Sequence, residues 1–205
     1  MRKNGAVEKL TDNPYLNLYH IDAVDTKGVP FDYYFASRNQ EERLKMFTRS
    51  LEPEGIVVYA LTREMSPRLV VIKEYRYPLD AEVYALPAGL VDPGETPGMA
   101  AVREMKEETG YHFTEYTGGS PSFRRPFYMG PGFTDETSCA VYGTVEVSVT
   151  ETSSACESTE QIRTILADKE QVRKILSNER VSLRCAYLMM QYLQMEDAAP
   201  FAFLA

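Results

Sequence analysis

The sequence contains no tryptophan, two histidines and three cysteines among its 205 residues. The cysteines, Cys139, Cys156 and Cys185, are far apart and form no CxxC pair, so neither a disulfide framework nor a zinc site is predicted. No apolar run approaches the roughly 18 residues that a membrane span requires, and MRKNGAVEKL at the start has no long apolar stretch. We therefore expect a cytoplasmic protein, with reduced thiols and no membrane partner.

Basic residues are also few, with 22 Lys and Arg against 30 Asp and Glu and a net charge of −8. Nucleic-acid binding depends on clustered Lys and Arg, so a surface built for nucleic acid is not expected. The composition, 44% hydrophobic and 25% charged, is that of an ordinary globular protein. Any phosphate group that this protein binds must be held locally, by metal ions and a few arginines.

One short helix is predicted with both of its ends defined. Thr96 is a suitable N-cap, Pro97 suits the first helical position, and Gly110 suits the left-handed residue that follows the last turn. The whole segment, GLVDPGETPGMAAVREMKEETGY from Gly89 to Tyr111, contains four glutamates. The spacing of these glutamates is the main evidence in the sequence about function.

Three of these glutamates share one face of the predicted helix. Glu108 lies four positions after Glu104, and Glu107 lies three positions after it, so the carboxylates are neighbours and repel one another. Arg103 offsets only part of this repulsion. Magnesium and manganese prefer carboxylate oxygens, so a divalent cation among them is the natural counter-charge.

An ordinary solvated helix face is the alternative interpretation, because acidic and basic residues in the order KEE are common on exposed helices. A solvated face gives no reason for Gly89, Glu95 and Gly110 to occur at fixed distances from the same glutamates. The complete pattern therefore favours a metal site.

That pattern, G-x5-E-x7-REUxEExGU, resembles the Nudix box, and Tyr111 is its one soft match because the family usually has an aliphatic residue there. Three flanking segments resemble the ADP-ribose pyrophosphatase branch of the family: EYRYP at 74–78, ALPAGLVDPGE at 85–95 and GPGFTDE at 130–136. The resemblance is carried by residues 55 to 165, roughly, and is weaker at both ends.

The resemblance implies a Nudix-type α/β/α sandwich with a mixed sheet, preceded by a small β segment. We expect an N-terminal β segment at 1–50, serving as a dimer contact, and a Nudix hydrolase domain at 51–205. Hydrophobic periodicity independently predicts the principal elements. The predicted strands are LNLYHIDAVD, PFDYYFASR, Gly55–Leu61, Leu69–Tyr75, a strand around Glu82–Pro87 and Ser138–Val149; the C-terminal helices are Lys169–Leu176 and Ser182–Met195.

The resemblance also implies the metal ligands. Glu104 and Glu108 correspond to the core ligands, the backbone carbonyl of Ala88 completes the site, and Glu107 is a further or water-mediated ligand with a place in catalysis. The metal is expected to be Mg²⁺, with Mn²⁺ as an alternative.

Four other residues of the box have supporting roles by the same resemblance. Arg103 is counted with the catalytic residues because it orients the glutamates. Glu95 is a ligand, or an acid that holds the loop. Gly89 and Gly110 are backbone positions, one for close approach and one for ending the helix.

By the same resemblance, the general base is expected on a loop after the last core strand, just before a strand of the form E-x-I-x-x, and Glu160 fits this register. Glu157 is the second candidate, and a solvated acid in a polar loop is the alternative for both.

Substrate contacts are expected from a separate group of residues. Arg76 is placed to pair with a phosphate, and the alternative for it is a surface arginine at the end of a strand. Arg38 is a second phosphate contact, and Glu136 belongs to a loop over the substrate. The resemblance implies that the N-terminal segment reaches across a homodimer and stacks on adenine. The candidate rings are Tyr15, Tyr19, Tyr33 and Tyr34, of which Tyr15 and Tyr33 are preferred, although alternation in PFDYYFASR is also what an ordinary strand shows.

The expected function is Mg²⁺-dependent hydrolysis of a nucleoside diphosphate sugar, with ADP-ribose giving AMP and ribose 5-phosphate, by a homodimer. Three alternatives remain open at this point. Another nucleoside diphosphate sugar, such as GDP-mannose or UDP-glucose, would need the same box. An NADH pyrophosphatase is disfavoured because the chain has no SQPWPFPxS-like segment. The third is a non-catalytic sugar-nucleotide sensor.

Overall fold

The computed structural model describes residues 5–147 and 162–205. Glu157 and Glu160, the two candidates for the general base, lie outside the described residues. The strands are β1 (Val7–Lys9), β2 (Asn17–Val24), β3 (Pro30–Ser37), β4 (Gly55–Thr62), β5 (Leu69–Arg76), β6 (Ala81–Ala85), β7 (Ala88–Leu90), β8 (His112–Glu115), β9 (Phe127–Tyr128), β10 (Thr137–Glu146) and β11 (Ile162–Ala167). The helices are α1 (Lys45–Thr48), α2 (Pro97–Thr109), α3 (Pro121–Arg124), α4 (Lys169–Asn178) and α5 (Leu183–Gln194).

The chain separates into two compact units, which are described individually. Unit 1 comprises the residues up to Glu54 together with Pro126–Ser138, and unit 2 comprises Gly55–Arg125 and Cys139–Ala205. These units do not coincide with a division at residue 50, because Pro126–Ser138 belongs to unit 1. The functional division into 1–50 and 51–205 stays a prediction.

Unit 1 is built on an antiparallel sheet in the order β1-β2-β3. Strand β2 alternates buried and exposed residues, as a strand with one solvated face does. Its buried residues Tyr19, Ile21 and Ala23 pack with Phe35 and Leu44 into a small core. Within the same unit, β9 pairs with Thr137 and Ser138 at the start of β10.

The main sheet has the order β11-β5-β4-β10-β8, with β6 paired to β5 and β7 paired to β4. Most neighbours are antiparallel. Strands β4 and β10 run parallel, since Glu54 N donates to Thr137 O where both begin and Arg63 N donates to Val145 O where both end. The sheet is therefore mixed, as predicted.

Every residue of β4 is buried because both faces of this strand are covered. Val57, Tyr59 and Leu61 belong to a core with residues of α4 and α5, such as Val172 and Met189. The alternate residues Ile56, Val58 and Ala60 pack with Ala100, Ala101 and Met105 of α2. Helices on opposite faces of a mixed sheet form the α/β/α sandwich, which confirms the predicted fold class.

The last residues of the chain complete the first of these cores. Phe201 stacks on Tyr116 with ring centroids 4.6 Å apart, and Leu204 is 1% exposed. The short elements β1, β7, β8 and β9 were not predicted, because two to four residues are too few to show a period. In residues 5–147 and 162–205, no helix has the length and apolarity needed to cross a bilayer.

Candidate metal and substrate site

Helix α2 begins and ends at the residues that its sequence indicates. Thr96 caps it, since its Oγ1 accepts a hydrogen bond from Met99 N at 3.3 Å. Gly110 ends it with φ of 74°, and its N–H donates to Lys106 O at 3.0 Å. Local rules therefore fix the register of the glutamates along this helix.

The side chain of Glu104 lies directly against the backbone of β7. A Cβ atom at Gly89 would be 1.8 Å from Glu104 Oε1 and 2.0 Å from its Cδ. Strand β7 is held in place by β4, where Gly89 pairs with Ile56. Glycine at position 89 thus leaves room for the Glu104 carboxylate beside the strand.

Glu108, one turn further along α2, is also directed to this strand. It is 5% exposed, and Ala88 N donates to Glu108 Oε2 at 3.2 Å. Its own backbone carbonyl accepts from Thr164 Oγ1 of β11 at 3.3 Å. The two predicted core ligands, Glu104 and Glu108, therefore both contact the Ala88–Gly89 segment.

Arg103 hydrogen-bonds three glutamates of the box, Glu95, Glu104 and Glu107. Its Nε and Nη2 donate to the two oxygens of Glu95 at 3.1 and 3.0 Å. Its Nη1 donates to Glu104 Oε1 at 2.7 Å and to Glu107 Oε2 at 3.2 Å. A further bond, from Nη2 to Leu90 O at 2.9 Å, anchors the guanidinium to the loop.

This hydrogen bonding has an electrostatic consequence for both partners. The hydrogen bonds from Arg103 hold the pKa of Glu95 below its usual value. The pKa of Arg103 is raised, chiefly by its hydrogen bonds to Glu95. Both groups are therefore charged across the whole physiological pH range.

Arg76 lies at the end of β5, with its side chain half exposed. Its Nη2 contacts Glu74 Oε1 at 2.5 Å, while the Glu74 side chain is only 12% exposed. Glu74 was not predicted as a site residue from the sequence. Residues two positions apart on a strand share one face, so the pairing of Glu74 with Arg76 could have been predicted from that spacing.

Three of the predicted substrate residues meet within unit 1. Arg38 Nε lies 3.7 Å from Glu136 Oε2, and Arg38 Nη1 donates to the backbone carbonyl of Tyr15 at 3.4 Å. The Tyr15 side chain is exposed, whereas Tyr19 is buried in the core of unit 1, so the prediction that Tyr19 could stack on a base is wrong. Tyr33 contacts the same loop, because its hydroxyl donates to Gly132 O at 2.6 Å. Arg38 and Tyr33 thus connect the N-terminal segment to the GPGFTDE loop. Each of these residues was predicted from the sequence independently of the other.

The sequence profile of the NUDIX domain matches residues 51–182, more than half of the chain. The chain belongs to the Nudix hydrolase family. It is similar to the ADP-ribose pyrophosphatase of Bacillus subtilis, with 32% identity over 147 residues that cover 71% of this chain and 75% of that protein. It is also similar to the ADP-ribose pyrophosphatase of Saccharomyces cerevisiae, with 29% identity over 146 residues that cover 71% of this chain and 59% of that protein.

Among solved structures, the Nudix chain is similar to a crystal structure of an ADP compounds hydrolase. The TM-score is 0.64 at 17% sequence identity, and the match covers 92% of this chain and 90% of that one. At this identity the likeness establishes a shared fold. It agrees with the sandwich described above.

Nudix hydrolases generally need a divalent metal ion, and the residues of this box fit one. Arg103 supplies one positive charge against the carboxylates of Glu95, Glu104 and Glu107. The cluster therefore keeps a net negative charge that a divalent cation would neutralise. Its carboxylate oxygens are ligands that Mg²⁺ and Mn²⁺ prefer, and the absence of a Cβ atom at Gly89 lets the Glu104 carboxylate lie beside β7.

Proposed function

We propose that this Nudix hydrolase cleaves the pyrophosphate bond of a nucleoside diphosphate sugar in the presence of Mg²⁺, with ADP-ribose as substrate and AMP and ribose 5-phosphate as products. The observation that carries the proposal is the contact of Glu104 and Glu108 with the Ala88–Gly89 segment. The similarity to two ADP-ribose pyrophosphatases supports the choice of substrate.

In this proposal, the carboxylates of Glu104 and Glu108 and the carbonyl of Ala88 would hold the metal, and Glu107 would add a direct or water-mediated contact. A bound divalent cation neutralises the charge of the pyrophosphate and lowers the pKa of a bound water. Arg103 acts on the glutamates, because its guanidinium is already engaged by Glu95 and Glu104. Glu95 would hold this arginine in place.

The general base is proposed to be Glu160, with Glu157 as the alternative. A carboxylate near the reacting water would accept its proton as the water attacks phosphorus. This assignment rests on the E-x-I-x-x register of the sequence, in which Ile162 and Thr164 belong to β11.

Substrate binding is proposed for Arg76 in unit 2 and for Arg38, Glu136, Tyr15 and Tyr33 in unit 1. Planar guanidinium groups match the geometry of phosphate oxygens, which suits Arg76 and Arg38. Support for the second group is that Arg38 contacts Glu136 and the Tyr15 backbone. The ring of Tyr15 or Tyr33 would stack on the base.

A homodimer in the cytoplasm is also proposed, with residues 1–50 contributing to the dimer contact. Strand β3 is at the edge of its sheet, and its Phe31 and Tyr34 are exposed. Exposed aromatic residues at a sheet edge suit association with a second chain. Light scattering coupled to size exclusion would give twice the mass of one chain, and a monomer would contradict this part of the proposal.

A substrate panel tests the function. ADP-ribose, UDP-glucose, GDP-mannose and NADH are each incubated with the protein, with Mg²⁺ or with EDTA, and nucleotide release is measured. Release of AMP from ADP-ribose well above the release from the other three, and only with Mg²⁺, is the expected result. Preferred turnover of another sugar nucleotide would identify that compound as the substrate. Turnover of none of the four would favour the alternative that the protein is a non-catalytic sugar-nucleotide sensor.

A further inference from the structure

We propose that Glu54 is a positioning residue that holds the Arg38–Glu136 pair in its substrate-binding arrangement. The inference rests on the proposed function, because it concerns how two proposed substrate residues are placed. Glu54 itself was not identified from the sequence, and it lies outside every motif discussed above.

The carboxylate of Glu54 binds the residue that follows each member of the pair. Asn39 Nδ2 donates to Glu54 Oε1 at 2.9 Å, and Thr137 N donates to Glu54 Oε2 at 2.7 Å. Asn39 directly follows Arg38, and Thr137 directly follows Glu136. One carboxylate therefore joins two chain positions that are almost a hundred residues apart.

Lys45 reinforces this connection from inside unit 1. Its side chain is 5% exposed, and its Nζ donates to Glu54 Oε2 at 2.7 Å and to Glu52 O at 2.8 Å. The same Nζ hydrogen-bonds Thr137 Oγ1. Lys45 N also donates to Asp135 Oδ2 at 3.1 Å, so both sequence neighbours of Glu136 are held by Lys45.

The backbone beside Arg38 is fixed in a similar way. Asn39 N donates to Ser37 Oγ at 3.0 Å, and Tyr19 Oη donates to Asn39 O at 2.8 Å. With the Asn39 side chain bound to Glu54, this residue is held through its backbone and its side chain. The chain on the C-terminal side of Arg38 is therefore held by three hydrogen bonds.

A buried ion pair is costly to desolvate and is weak evidence for stability by itself. Here both oxygens of Glu54 and the ammonium of Lys45 are hydrogen-bonded. We therefore interpret the pair as fixing the positions of the chain segments that it joins. Glu54 is also ionised at neutral pH. Burial alone would raise its pKa, but hydrogen bonds from Lys45, Thr137 N and Asn39 lower it below the usual value.

Steady-state kinetics with ADP-ribose test the proposal. In Glu54→Gln, a loosened Arg38–Glu136 pair should raise KM by about 10-fold while kcat changes by less than about twofold, as expected when binding common to ground and transition states is lost. Asn39→Ala removes one of the same hydrogen bonds and should give a smaller rise in KM. Ile21→Val, in the core of the same unit, is the matched control for stability and should leave KM unchanged.

A double-variant comparison distinguishes positioning from a general loss of structure. In an Arg38→Ala background the pair no longer exists, so adding Glu54→Gln should raise KM no further. Rises in KM that multiply in the double variant, or an unchanged KM in folded Glu54→Gln, would overturn the proposal.

A readout without substrate separates this inference from the proposed function. The Nε–H signal of Arg38 in a ¹⁵N correlation spectrum should be sharp in the wild type and in Ile21→Val, and broadened in Glu54→Gln. An unaltered signal in Glu54→Gln contradicts the positioning role. If the wild type hydrolyses no nucleoside diphosphate sugar but the signal still depends on Glu54, the proposed function fails and the positioning role stands.

Discussion

Gly89 and Glu104 are in such close contact that a Cβ atom at position 89 would lie 1.8 Å from Glu104 Oε1. The two residues are on different elements, Gly89 on β7 and Glu104 on α2. Because the obstructing atoms belong to the end of a rotatable side chain, an added methyl group would displace that side chain more readily than the strand. The spacing between Gly89 and Glu104 in the box thus reflects a steric requirement, because the Glu104 carboxylate fits only beside a glycine.

Gly89→Ala should abolish most of the activity while leaving the fold intact. The alanine methyl group forces Glu104 away from β7, and a displacement of about 1 Å in a catalytic group can cost about 100-fold in rate. The stability loss should not exceed the roughly 1–3 kcal/mol typical of overpacking. The measurements are kcat/KM with ADP-ribose and urea denaturation.

Val102→Ala is the control for Gly89→Ala, since Val102 lies on the same helix and is 46% exposed. It should keep its activity. Full activity in Gly89→Ala would mean that hydrolysis does not require the Glu104 carboxylate at its position beside Gly89.

Arg103→Lys should weaken metal binding although the charge is kept. Lysine lacks the planar fork that reaches both oxygens of Glu95 and also Glu104. Loss of such an orienting contact typically costs about 10- to 100-fold in metal affinity or activity. The pKa of Glu95 should rise toward its usual value, so the acid limb of metal binding should move to higher pH.

Calorimetric titration with Mn²⁺ from pH 7 to below pH 4.5, the usual value from which the pKa of Glu95 is lowered, measures both effects of Arg103→Lys. Lys106→Arg, on the same helix, is the reciprocal control and should bind Mn²⁺ as the wild type does. An unchanged affinity and pH profile in Arg103→Lys would show that the arginine does not orient the glutamates.

Glu54 predicts how stability depends on pH. Its folded-state pKa lies below the usual value of 4.5, so its contribution to stability is fully present above that value and is lost as pH falls through the lower, folded-state pKa. The unfolding free energy of the wild type should therefore fall more steeply below about pH 4.5 than that of Glu54→Gln. Urea denaturation from pH 7 to pH 3 measures the difference, and parallel curves for the two proteins would contradict it.

Glu160→Gln should lower kcat by about 100-fold or more while metal affinity stays nearly the same, because a positioned general base is worth about that much. Glu157→Gln is the matched comparison, since it removes the charge of the other candidate. If Glu157→Gln shows the loss and Glu160→Gln does not, the role belongs to Glu157.

The helix, the central strands and the fold class could be predicted because the information is local. Thr96, Pro97 and Gly110 define α2 through caps that depend only on neighbouring residues. Strand β4 is apolar throughout, as a strand covered on both faces must be. The box then places α2 against the sheet by its resemblance to the family.

The arrangement around Glu54 could not be predicted from the sequence. Its hydrogen bond to Thr137 joins residues 83 positions apart, and neither residue belongs to a periodic pattern or a recognised spacing. The contact between Arg38 and Glu136 also depends on tertiary structure, although each residue was nominated singly. Long-range polar contacts leave no signature in one sequence, because polar residues in loops have many alternative partners.

The central claim is that Glu104 and Glu108 hold the divalent cations that hydrolysis needs, and Mn²⁺ binding measured by electron paramagnetic resonance tests it most directly. Wild type, Glu104→Gln and Glu108→Gln are each titrated with Mn²⁺, and ADP-ribose hydrolysis is measured in the same samples. The account predicts that each substitution removes Mn²⁺ binding and hydrolysis together. Wild-type Mn²⁺ binding and turnover in both variants would contradict it.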